Sequence, residues 1–138
     1  MTMQPTSTPE YLAPEVVKGL GCGLAADWWA LGVLVFEMLT GASPFAADTA
    51  YRVYQNIEQG RLVVPKDVNS TDAALIRQLL VESEASRPGA GGEASLRRHS
   101  YFKGVDWNAV ERELLEPGIK PAATVDGGND LKVTLWAN

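Results

Sequence analysis

The chain has 138 residues, 46% hydrophobic and 21% charged, with 12 Lys+Arg against 17 Asp+Glu and a net charge of -5. This composition excludes a disordered or fibrous chain, and its acidity argues against a general nucleic-acid or anionic-membrane binder, since both need a basic surface. A lone cysteine, Cys22, and a lone histidine, His99, exclude an internal disulfide framework and do not give the paired spacing of a zinc site.

The N-terminus carries no secretory signal, and the longest apolar run, Trp28 to Phe36, is far short of the roughly 20 residues that cross a bilayer. With the single cysteine, this leads to an expectation of a reducing, cytoplasmic setting. Residues 1–60 hold six acidic side chains against two basic ones, so most of the acidity lies in the first half.

In chain order, Leu12 to Lys18 suits a short helix with proline in its first turn, broken by Gly19-Leu20-Gly21-Cys22-Gly23. Ala25 to Leu39 is apolar on nearly every side and predicts a buried central helix stopped by Gly41. Asp48 suits the N-cap of an amphipathic helix to Gln59 whose shared face is Ala50, Val53, Tyr54 and Ile57, with Gly60 as terminator.

Pro65-Lys66-Asp67 reads as a turn, and Asn69 or Ser70 as the cap of a helix striped by Leu75, Ile76, Leu79 and Leu80. Ser86 to Gly92 is a loop by composition, followed by short helices over Glu93 to Ser100 and Trp107 to Leu115. Leu131 to Trp136 alternates like a strand, with no evident second strand to pair with. The expected fold class is mainly α, four to six helices with little or no sheet.

The string Thr8-Pro9-Glu10-Tyr11-Leu12-Ala13-Pro14-Glu15, followed by Ala26-Asp27-Trp28-Trp29-Ala30-Leu31-Gly32, resembles the end of the activation segment and the next buried helix of eukaryotic protein kinases. It is similar to the cyclic-nucleotide-dependent serine/threonine kinases of the AGC type. Gly41 to Phe45, His99 to Phe102 and Asp106-Trp107 fall where that family has comparable residues. The resemblance implies a partial kinase large lobe over 8–104. Residues 1–7 form a divergent remnant of the activation segment, 105–125 an extension-like segment and 126–138 a divergent tail.

Phosphoryl transfer in that family uses a Gly-rich loop, a strand lysine, an H-R-D catalytic loop and a D-F-G magnesium ligand, and none occurs in this sequence. The intact family uses ATP and magnesium. No catalytic residue and no cofactor are therefore expected for this chain, and it is expected to be inactive alone.

The resemblance implies several roles. Glu15 and Arg87 correspond to a structural ion pair, and Asp27 to a carboxylate that accepts from the catalytic loop in the family, its bland alternative here being a helix N-cap. Glu10 and Glu37 correspond to positions that contact basic residues preceding the phosphorylated serine or threonine of a substrate. Glu37 stands in an otherwise apolar helix, where an uncompensated charge is costly.

Pro9 and Leu12 match the pocket for the residue after the phosphoacceptor, Thr8 a hydrogen-bonding threonine of the catalytic site, and Tyr54 a position that helps dock a regulatory subunit. Trp28, Trp29 and the apolar sides of their helix would in the family be covered by upstream helices, so part of that surface is expected to be exposed. Ser7, Gln4, Pro88, Ala42 and Ala46 depart from the family pattern.

The reading is thus part of a serine/threonine kinase that keeps a platform for basic Ser/Thr-containing peptides, without nucleic-acid or membrane partners. A non-catalytic module that binds basic peptides or kinase regulators is the alternative.

Overall fold

Seventeen residues, Leu24–Thr40, form α2, the longest helix among the described residues, and the helix Ser70–Leu79 and the 3-10 turns at Pro9–Tyr11 and Glu84–Ser86 pack against it. The fold is seen in a computed structural model that describes residues 9–113. Before α2 come a 3-10 turn over Pro9–Tyr11 and a one-turn helix α1 (Pro14–Val17), shorter than the Leu12 to Lys18 span expected. After it come α3 (Ala50–Glu58), α4 (Ser70–Leu79), 3-10 turns at Glu84–Ser86 and Ser100–Phe102, and α5 (Glu93–Arg97) between them.

These elements belong to a unit ending at Gly104, and a second unit starts at Val105. In that second unit α6 covers Trp107–Glu111, with Asp106 Oδ1 accepting from the backbone N–H of Ala109 at 3.1 Å. No strand is present among the described residues. The alternating segment Leu131 to Trp136 lies outside them.

The first unit is a mainly α structure built on contact between α2 and α4. Gly32 makes that contact possible, because a Cβ there would lie 2.8 Å from both Leu79 Cβ and Leu80 Cδ2. Leu75, Ile76 and Leu79 are fully buried and Leu80 nearly so, which fits the stripe read from sequence. Each such side chain contributes about 1.5–3 kcal/mol of apolar burial.

Trp29 stacks on Phe45 with ring centroids 5.4 Å apart, and Val33, Val35, Val53 and Ile57 complete the centre. Of the surface expected to be partly exposed, Trp29 is enclosed, at 1% exposure. The loop after Gly41 folds back and lays Phe45 over its ring.

The reading of α2 as buried on every side also needs correction. Leu24, the first residue of α2, is 82% exposed, Met38 63% and Leu34 43%, and Leu34, Met38 and Asp27 lie on the side of α2 turned away from Gly32. Hydrophobicity by itself does not say which faces find partners. No described helix is long and apolar enough to cross a membrane.

The helix ends follow capping chemistry, with two changes of residue. Thr49, not Asp48, is the N-cap of α3. Its Oγ1 accepts from the backbone N–H of Arg52 at 3.3 Å, while Asp48 takes the Arg52 side chain. Ala50, expected on the packed face of α3, is exposed. The N-cap of α2 is Gly23, so Asp27 is a fourth helical residue and not a cap.

Asn69 caps α4, accepting from the Asp72 N–H at 2.9 Å. Gly41 ends α2 at φ 76°, a left-handed conformation that costs a glycine little. Val68 donates to the Pro65 carbonyl at 3.2 Å, closing the turn read there. The helix read over Glu93 to Ser100 stops at Arg97, and His99 Nδ1 instead accepts from the Tyr101 N–H to cap the 3-10 turn.

Candidate functional site

Two groups of charged side chains are organised around the start of the described chain. The first is the ion pair of Glu15, at the second position of α1, and Arg87, which precedes Pro88 in the loop after α4. Arg87 Nη1 donates to Glu15 Oε1 at 2.7 Å and Nη2 to Oε2 at 2.8 Å, a bidentate fork.

The remaining donors of Arg87 reach backbone carbonyls of Ala25 at 2.9 Å, Val81 at 3.0 Å and Glu82 at 3.1 Å. The guanidinium carbon sits 5.1 Å from the centre of the Trp29 ring. One buried cation thus ties α1, the start of α2 and the end of α4 together. Burial pushes the Glu15 carboxyl up, but the Arg87 hydrogen bonds, a backbone hydrogen bond and the charges of Arg87 and Lys18 outweigh it and hold the group below its ordinary value.

The second group is built from the Pro9–Tyr11 turn and the last part of α2. The Tyr11 hydroxyl donates to Glu37 Oε2. Glu37, whose place in an apolar helix made an uncompensated charge costly, thus has a neutral hydrogen-bond donor in Tyr11, a partner that the sequence reading did not name. The Glu37 hydrogen bond, burial, and then the charges of Glu37 and Glu10 raise the Tyr11 phenol above its ordinary value.

Both carboxylates consequently act on one phenol, although Glu10 and Glu37 come from different elements. Glu37 Oε1 and the Glu10 carboxylate receive no hydrogen bond among the described residues, so both have acceptor capacity left. Pro9 and Leu12 are half-buried beside them, joined by the Leu12 N–H to Pro9 carbonyl bond at 3.2 Å. Thr8 lies outside the described residues.

The other singled-out residues are placed separately. Asp27 is exposed on α2. Tyr54 is half-buried on α3, whose Val53 and Ile57 are in the core and whose Tyr51 is 69% exposed. α3 packs against α1 and the Pro9–Tyr11 turn, so its helix borders the carboxylate group. Trp29 Nε1 is buried without a hydrogen-bond partner, its ring held by Phe45 and Arg87.

Among the described residues no group of three His, Cys, Asp or Glu side chains is placed to hold a metal ion.

The described part of the first unit is helical, and its bidentate Glu15–Arg87 pair joins α1 to the start of α2 and the end of α4. Residues 2–102 match the protein kinase domain family, and the chain belongs to it. It is 43% identical over 122 residues to the cAMP-dependent protein kinase catalytic subunit PRKX of Mus musculus, covering 87% of this chain and 34% of that protein. It is 40% identical over 124 residues to protein kinase 2 of Dictyostelium discoideum, covering 90% of this chain and 26% of that protein.

A third relative is the cAMP-dependent protein kinase catalytic subunit 3 of Drosophila melanogaster, 38% identical over 122 residues, with 87% of this chain and 21% of that protein covered. The chain spans about a third or less of the length of these relatives.

Proposed function

We propose that this chain supplies the peptide-substrate platform of a serine/threonine protein kinase and does not transfer phosphate by itself. The observation that carries the reading is the hydrogen bond from the Tyr11 hydroxyl to Glu37 Oε2, which holds a carboxylate with an open oxygen against the turn that carries Glu10. A guanidinium from a substrate arginine preceding the phosphoacceptor can use the free oxygen of Glu37 and the carboxylate of Glu10, a charge-assisted interaction. Tyr11 is a positioning residue in this scheme, because its hydrogen bond restricts how the Glu37 carboxylate can turn.

Pro9 and Leu12 would flank the residue after the phosphoacceptor. Phosphoryl transfer depends almost wholly on positioning and neutralising the transferred phosphate, and no residue among those described does either.

The test is a titration of the purified chain with a serine peptide carrying two arginines before the serine, in parallel with an ATP and magnesium turnover assay. The expected result is salt-sensitive binding of the arginine peptide, weaker binding of its alanine-substituted control and no turnover. Equal affinity for both peptides, or turnover by kinase-free protein, would overturn the reading.

A second reading, docking of a kinase regulatory subunit, is favoured by the half-buried Tyr54 on a helix that borders the same carboxylates. It expects Tyr54→Ala to weaken a regulatory subunit and to spare the arginine peptide.

A further inference from the structure

Beside α3, and lined by none of the residues of the carboxylate site, a groove of about 420 Å³ opens whose charge is of the opposite kind. Its walls include Asp48 from the loop before the helix, Arg52, Gln55 and Asn56 from the helix itself, and Arg61 just beyond its end. Arg52 holds both oxygens of Asp48 through one nitrogen, Nη1, at 3.1 and 3.0 Å. Its Nε–H and Nη2–H₂ edge has no acceptor among the described residues, and Arg61 makes no ion pair among them.

The two arginines outnumber the one aspartate, so this concavity carries a local positive charge on a chain of net charge -5. Its amides add a second kind of recognition. Gln55 Nε2 donates to the Tyr51 hydroxyl at 3.1 Å and Asn56 Nδ2 to the Phe45 carbonyl at 3.3 Å, which fixes both amides and leaves both amide oxygens as acceptors.

We propose that this groove docks an acidic side chain of a partner polypeptide. The guanidinium edges of Arg52 and Arg61 take the carboxylate, and the oxygens of Gln55 and Asn56 take backbone N–H groups next to it. A free carboxylate alone would use the cations and leave the acceptors idle. A polypeptide segment satisfies both sets, and the volume exceeds what a single carboxyl group fills. The Asp48–Arg52 pair is an exposed i,i+4 contact of small energy, so it preorganises Arg52 without competing strongly. The inference is independent of the proposed peptide-substrate site.

The test is a nuclear magnetic resonance titration of the ¹⁵N-labelled full chain with a blocked Gly-Glu-Glu-Gly peptide, its Gly-Gln-Gln-Gly control and a phosphoserine counterpart. The expected result is a saturable shift of the Arg52 and Arg61 Nε–H signals together with the Gln55 and Asn56 side-chain amides. The glutamine peptide should leave these signals in place, and Arg61→Gln should weaken the glutamate peptide by about fivefold, the upper end for an exposed charge pair. Comparable shifts at Arg77, Arg98 and Lys103 would show a diffuse ion atmosphere and overturn the proposal. So would binding of the phosphoserine peptide without the glutamate one, or no saturable shift at all.

Discussion

Glu15 and Glu37 are both carboxylates held against apolar helices, and they are neutralised in opposite ways. Glu15 meets a full cation whose every donor is used, two on the carboxylate and the rest on backbone carbonyls, and the pair is closed to solvent. Glu37 meets one neutral phenol on one oxygen, and its other oxygen remains available. A closed pair can only hold structure together, because any ligand would have to displace a bond already made. A carboxylate restrained on one side and open on the other keeps its negative charge and the means to bind a cation.

The largest expected effect comes from breaking the closed pair on one side. Arg87→Ala strands Glu15 and leaves carbonyls of Ala25, Val81 and Glu82 without their donor, which should cost about 3–5 kcal/mol in a urea unfolding titration. A loss under about 1 kcal/mol would mean that water reaches Glu15. The double change Glu15→Gln with Arg87→Met should lose less than Arg87→Ala, since it leaves no charge unpaired.

The open pair should respond in binding more than in folding. Glu37→Gln is expected to weaken the arginine peptide by about 1.5–3 kcal/mol, the range for hydrogen bonds to charged groups, while moving the unfolding midpoint little. If the variant unfolds as readily as Arg87→Ala, Glu37 is structural and the contrast collapses. Tyr11→Phe should cost about 1 kcal/mol of stability and loosen peptide binding by less than Glu37→Gln.

The pH dependence separates the two pairs again. Glu15 has a folded-state pKa below its ordinary value, so its stabilisation is present above the unfolded carboxylate range and is lost as pH falls through the folded value. The Tyr11 phenol is raised, so its contribution is present below the unfolded phenol range and is lost as pH rises through the folded value. Thermal midpoints across pH should therefore show an acid limb that Tyr11→Phe leaves alone and an alkaline limb that it flattens.

The smallest effect belongs to Lys18→Ala. The Lys18–Glu82 bridge at 2.6 Å is exposed, and its removal should leave the unfolding midpoint where it was.

Much of this arrangement is legible in the order of the amino acids. Apolar spacing locates α3 and α4, because a helix that must bury one face repeats its large residues every three or four positions, and an unbroken apolar run ending at Gly41 locates α2. Gly41 and Asn69 mark ends for reasons local to the backbone. Local chemistry does not place the α3 cap to the residue: Asp48 reads as the cap, but Thr49 caps the helix and Asp48 pairs with the Arg52 side chain.

The candidate site divides in the same way. Glu10, Glu15, Glu37 and Arg87 could be singled out because their motif spacing resembles a known family. Tyr11 could not, since a tyrosine between a glutamate and a leucine carries no sign of which distant carboxylate its hydroxyl will meet. A usable signal was present in Glu37 itself, a charge in an apolar helix that demanded a donor from elsewhere in the chain.

Residue type and spacing by themselves determined a helical chain, its helix positions and the carboxylates and arginines able to pair. Only the tertiary structure decided that Trp29 is enclosed by Phe45 and Arg87 while Leu24, Leu34 and Met38 stay exposed. It also decided that the Glu15–Arg87 pair is closed to solvent while Glu37 takes the Tyr11 phenol on one oxygen and stays open on the other. The reason is physical: periodicity and capping act within a few residues, whereas burial and charge pairing depend on which distant surfaces the folded chain brings within a few ångströms.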